Sequence, residues 1–133
     1  MKENMKKLMR EAGLDYGERT HTFNSRLAQE LGKWADVQNG ESDIHNLIYR
    51  AYFVEGKNIS DVNELLRIAE KAGFDKQAAK EVLEKRSFKS LVDADWQESR
   101  EFGITGVPTF QYNQNLLVGC QPYEMLERFI DRQ

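Results

Sequence analysis

From Asn24 to Phe102 the apolar residues of this chain recur every three or four positions. Glycines and capping residues cut the recurrence into short lengths, so the segment can only fold as a succession of compact helices. Leu27, Leu31 and Trp34 fall at i, i+4 and i+7 with Ala28 and Ala35 beside them, predicting a helix from about Asn24 to Val37, ended by an Asn39-Gly40 turn. Ile44, Leu47, Ile48, Ala51 and Tyr52 define the next helix, with Ser42 as its N-cap and Gly56 closing it. Ser60 caps a helix carrying Val62, Leu65, Leu66 and Ala69, which Gly73 ends from the C′ position. Phe74 and Asp75 read as staple and cap of a short helix through Val82 and Leu83. The following helix, Ser87 to Phe102, turns Phe88, Leu91, Val92, Trp96 and Phe102 inward and stops at Gly103. Ahead of all these, Lys2 to Ala12 reads as a helix stopped by Gly13, with Gly17 loosening the loop that follows.

The pattern changes after Gly103. Pro108 cannot lie inside a helix and pushes Val107 toward extended geometry, and Phe110 and Tyr112 alternate with Thr109 and Gln111 as in a strand. Asn113-Gln114-Asn115 supplies a turn and Leu116-Leu117-Val118 the return strand, predicting a β-hairpin ended by Gly119. Pro122 suits the first position of a last helix that buries Met125, Leu126, Phe129 and Ile130. The fold class is therefore mainly α with a C-terminal β-hairpin. Its expected organisation is a helical region over residues 1–102 and a hairpin-helix region over 103–133, packed as one domain, since 133 residues leave little room for two independent cores.

Composition narrows the function classes. Hydrophobic residues at 40% with only two prolines describe a chain that folds. A net charge of −3 offers no footprint for nucleic acid, which is met by clustered Lys and Arg. Lys2, Lys6, Lys7 and Arg10 are interleaved with Met5, Leu8 and Met9 at helical spacing and read as a solvated helix face. A secretory signal needs an unbroken apolar run of about 7–15 residues and a membrane span about 20. Neither is present, so no membrane contact is expected and the expected location is the cytoplasm. His21 and His45 are single and widely spaced, which predicts no metal site. Cys120 is the single cysteine, so no intrachain disulfide and no Cys-x-x-Cys pair can form within these residues.

Gly106-Val107-Pro108-Thr109-Phe110 after a helix, followed by a hairpin and a helix opening with Gly119-Cys120-Gln121-Pro122, resembles the proline-loop half of DsbA-like thioredoxin folds, especially the FrnE group. Arg50-Ala51-Tyr52-Phe53, Glu55-Gly56-Lys57-Asn58-Ile59 with Asp61, Leu65-Leu66 and Ala72-Gly73-Phe74-Asp75 resemble that group's helical insertion in the same order. Ala12-Gly13-Leu14 and Phe23-Asn24-Ser25 resemble its beginning, so practically the whole chain is covered. The resemblance implies a thiol-disulfide oxidoreductase family. Its strand, Cys-x-x-Cys helix and second strand would lie upstream of Met1, leaving the sheet incomplete within this chain. The pair matters because one cysteine attacks as a thiolate and its neighbour resolves the mixed disulfide. The chain is thus expected to be inactive or incomplete alone.

The same resemblance implies a cis bond before Pro108, and a substrate site along Thr105, Gly106, Val107 and Pro108 that binds an extended substrate or, as sole cofactor, glutathione. On the residues alone, a trans proline opening a strand stays open. Cys120 reads as a buried, inert thiol; the other reading is a reactive thiol near the N-terminus of the last helix. Asn24 is a capping residue or, in the family setting, a ligand contact. Without a partner strand, the hairpin's apolar face of Phe110, Tyr112, Leu116 and Val118 would be left open, which predicts a homodimer formed through the hairpins. Two rival functions remain: a glutathione-dependent isomerase or transferase of the 2-hydroxychromene-2-carboxylate isomerase type, and a non-enzymatic dimerisation or binding module.

Overall fold

A computed structural model describes residues 2–38 and 41–132. Seven helices and two strands follow one another as α1 (Lys2–Glu11), α2 (Arg26–Asp36), α3 (Ile44–Phe53), α4 (Val62–Lys71), α5 (Lys76–Glu84), α6 (Lys89–Glu101), β1 (Thr109–Tyr112), β2 (Asn115–Val118) and α7 (Tyr123–Asp131). The mainly helical class with a C-terminal antiparallel hairpin is thus the observed one. The chain divides into two compact units, residues 1–92 and 93–133. The expected Asn39-Gly40 turn lies outside the described residues.

In the first unit α2 packs on α3, α4 and α5, and α4 on α3 and α5. The stripe read from sequence is the buried one: Leu31, Ile44 and Leu65 are fully enclosed, with Ala28, Ala35, Ile48, Ala51, Leu66, Ala69 and Leu83 around them. Burying each such Leu or Ile side chain contributes about 1.5–3 kcal/mol. The Trp34 and Phe74 rings meet at 5.1 Å and close one side.

Helix ends follow side-chain chemistry. Asn24 Oδ1 accepts the Arg26 N–H at 2.9 Å and so serves the first turn of α2. Asp75 accepts from Ala78 N–H at 2.8 Å, as expected of a cap. The serines are corrected, however. The N-cap of α3 is Asp43, not Ser42, and that of α4 is Asp61, not Ser60, whose neighbour accepts from Asn63 N–H at 2.9 Å. Each Asp stands one residue nearer its helix, and at Asp61 the carboxylate is the stronger acceptor for an orphan N–H. At the other ends, Gly73 takes φ +91° and lets Phe74 N–H reach back to Ala69 C=O at 2.9 Å, a left-handed stop that a side chain would strain.

Gly17 is also corrected, because it fastens its loop instead of loosening it. Its N–H donates to Phe53 C=O at 2.9 Å, and a Cβ there would sit 1.8 Å from the Val54 carbonyl oxygen. Glycine is required by close backbone approach.

One charged side chain lies within the core. Glu30, on α2 between Leu27 and Leu31, is fully buried. Arg86, just past α5 at φ +51°, grips it with a fork: Nε to Oε1 at 2.8 Å and a terminal guanidinium nitrogen to Oε2 at 2.6 Å. Arg26 adds its charge 3.7 Å from Oε2. The bonds from Glu30 raise the Arg86 pKa above its ordinary value.

The second unit holds the later turns of α6, the hairpin and α7. None of its described side chains is buried. The inward faces expected of α6 and α7 are corrected accordingly. Val92, in the first unit, is the one buried residue of α6, whereas Leu91, Trp96, Phe102, Met125 and Ile130 are 41–52% exposed and Leu126 and Phe129 half-buried. The hairpin face is corrected too. The turn consists of Asn113 and Gln114 only, with Asn113 at φ +54°, and Asn115 already belongs to β2 opposite Tyr112. The register pairs Phe110 with Leu117 and Gln111 with Leu116. Phe110 and Tyr112 therefore share a face with Leu117, and Leu116 and Val118 occupy the opposite one. A single residue of turn length inverts the pattern, because strand side chains alternate with a period of two.

Candidate functional site

The loop between α6 and β1 is built by its two ends. Behind it, Gly103 N–H donates to Arg100 C=O and Ile104 N–H to Ser99 C=O, each at 3.0 Å, so the helix is sealed at a fixed point. Ahead of it, Gly119 N–H donates to Pro108 C=O at 2.8 Å, the first rung of the hairpin. Between them run Thr105, Gly106 and Val107. Thr109 Oγ1 donates to Gly106 C=O at 2.6 Å and bridges the bend. The Val107–Pro108 peptide is cis, as the resemblance implies. Val107 is 91% exposed and Pro108 is exposed, whereas Gly106 and Thr109 on either side are half-buried.

Cys120 is exposed, which corrects the buried reading. The reason lies in the register. Val118 pairs with Thr109 and Gly119 bonds Pro108, so Cys120 lies past the last rung of the hairpin and ahead of α7. The fold thus gathers Thr105, Gly106, Val107, Pro108 and Cys120 at one end of the hairpin. Chemically that end offers an exposed Val107-Pro108 segment and one accessible thiol. Gln121 caps the turn beside it, donating from Nε2 to Val118 C=O at 2.8 Å.

The other candidates are spent on structure. His45 Nε2 lies 2.7 Å from Asp36 Oδ1, and its ring rests on α2 where Gly32 leaves room for it. His21 stacks on Phe23 at 5.9 Å and meets Thr20 Oγ1 at 2.7 Å. Among the described residues no three His, Cys, Asp or Glu side chains gather as a metal would require. No described helix is long and apolar enough to cross a membrane.

Two arrangements escaped the sequence reading. Arg19 lies over the Tyr52 ring, 4.2 Å from its centre, and 5.5 Å from that of Phe53. Beside it Lys6 donates to Glu18, a hydrogen bond that lowers the Glu18 pKa and raises that of Lys6. These contacts fasten α1 and its loop to α3. The Glu30–Arg86 fork spans 56 positions and had no local signal from Arg86, although Glu30 itself stood conspicuously inside an apolar stripe.

The family model described as DSBA-like thioredoxin domain matches residues 1–131. Among curated proteins, the uncharacterized protein YwbO of Bacillus subtilis (strain 168) is 29% identical over 105 residues. That alignment takes in 78% of this chain and 52% of the relative, so the chain spans about half the length of the curated relative it matches.

Proposed function

We propose a function from one premise: the chain belongs to the DSBA-like thioredoxin-domain family, which is of the thiol-disulfide oxidoreductase type. Within it, the chain is the insertion and proline-loop part of a FrnE-type protein. Its role is to bind an extended, thiol-bearing substrate along Thr105–Pro108. The match over residues 1–131 carries this reading. The exposure of Val107 supports it, since a segment that offers strand-like hydrogen bonds to a ligand must face solvent.

The 133 residues alone do not turn over disulfides. Cys120 can enter a mixed disulfide, but resolving it requires a second thiol within bonding reach, and the sequence has one cysteine. Binding and turnover therefore separate. Titrating the 15N-labelled chain with reduced glutathione, and separately with a short extended peptide containing one cysteine, should shift the amides of Gly106, Val107 and Thr109 while leaving Leu31 and Leu65 in place. If either ligand shifted only residues of the first unit, or none, the assignment of the loop as the substrate site would fall.

A further inference from the structure

Helices α1, α4 and α6 stop in one way. The residue at positive φ is Gly13, Gly73 or Gly103, and its N–H reaches back to the carbonyl of Arg10, Glu70 or Arg100. The next N–H reaches back five residues, as Leu14 does to Met9, Phe74 to Ala69 and Ile104 to Ser99. The α5 stop has the same two bonds, Arg86 N–H to Leu83 C=O at 3.3 Å and Ser87 N–H to Val82 C=O at 3.1 Å. Yet its residue at φ +51° is an arginine. Left-handed backbone costs a residue with a Cβ more than it costs glycine. Arg86 stands there against the local preference, so its side chain serves a purpose that the turn itself does not require.

What that side chain reaches is the buried Glu30 of α2, through the fork at 2.8 and 2.6 Å. A second link runs beside it: Arg26, also on α2, donates from Nη2 to Lys89 C=O at 3.3 Å while its Nε lies 3.7 Å from Glu30 Oε2. Polar groups of α2 thus hold the α5–α6 elbow at two points. Apolar packing holds it less. From Lys85 to Leu91 only Phe88 is even half-buried, Val92 is the first buried residue after Leu83, and the helix pairs that make the core all lie among α2–α5. A segment tied by hydrogen bonds, with few buried apolar contacts, is one that opens separately from a core.

We infer that the Arg86–Glu30 fork is a latch: residues 85–92 open as one unit, with the fork broken and Arg86 released from its left-handed backbone, while α2–α5 stay packed. In the closed state two charge-assisted bonds offset the strain at Arg86. In the open state that strain is gone and both charges regain water, which returns part of what the broken bonds cost. The elbow is therefore where the first unit yields first.

Native-state hydrogen exchange of the full chain, followed by NMR at rising urea below the unfolding transition, reads this opening. The amides of Ser87 and Val92 bond Val82 and Phe88 carbonyls at 3.1 and 3.2 Å. They should show protection at least tenfold lower than those of Leu31 and Ile68, with a shallower urea dependence, since a local opening exposes less surface. Arg86→Gly suits the turn better but removes the fork, and should lower protection at Ser87 and Val92 at least tenfold further. Glu30→Gln should do the same, whereas Glu81→Gln, which removes only the exposed partner 3.6 Å from Lys85, should not. Elbow amides with the protection and urea slope of Leu31 and Ile68 would overturn the latch. So would Arg86→Gly amides protected as well as the parent's or better, the result that a plain helix stop would give.

Discussion

Removing Arg86 is the perturbation that the first unit should tolerate least for its size. Its fork supplies two charge-assisted bonds, at 2.8 and 2.6 Å, to a carboxylate that is 1% exposed. Breaking a buried pair by deleting one partner costs about 3–5 kcal/mol, because the remaining charge is left in a low dielectric. Arg86 is itself 41% exposed and Arg26 stays 3.7 Å from Glu30, so water and a second cation offset part of that loss. The expected cost of Arg86→Met is therefore about 2–3 kcal/mol. At about 4–8 °C per kcal/mol for a domain of 60–100 residues, the midpoint should fall by about 8–24 °C. Replacing both residues, Glu30→Met with Arg86→Met, removes the stranded charge and should recover most of the loss. Urea and thermal unfolding by far-UV circular dichroism read all three. A cost below about 1 kcal/mol for Arg86→Met, or a double variant weaker than the single, would refute the reasoning.

Two further outcomes follow from the same unit. Gly17→Ala pushes a methyl group against the Val54 carbonyl at 1.8 Å, where only backbone can give way, and should cost about 1–3 kcal/mol in urea unfolding. The Glu18 carboxyl should titrate by NMR below its ordinary 4.5, since its hydrogen bond to Lys6 favours the charged form. Its contribution to stability is present above that value and lost as pH falls through the lowered one, and Lys6→Met should return the midpoint toward 4.5.

Much of the first unit was legible because its helices announce themselves twice, by apolar spacing and by their stops. Leu31, Ile44 and Leu65 were on the predicted stripes, and Gly73 stood where the left-handed stop was needed. The hairpin was legible as an element but not as a surface. Whether Asn115 belongs to the turn or the strand changes no propensity sum, yet it decides which of Phe110, Leu116 and Leu117 share a face. Cys120 was placed wrongly for a related reason: composition suggests that a free cysteine hides, and only the register shows that it lies beyond the last rung. The α6 and α7 faces have the spacing of buried stripes, but spacing names the side of a helix that seeks cover and not the surface that supplies it.

The decisive measurement is the catalysed reduction of insulin by dithiothreitol in the presence of the 133-residue chain. With one thiol per molecule, the rate should equal that of the reductant alone, and Cys120→Ser should change nothing. Repeated turnover above that background, abolished by Cys120→Ser, would contradict the account.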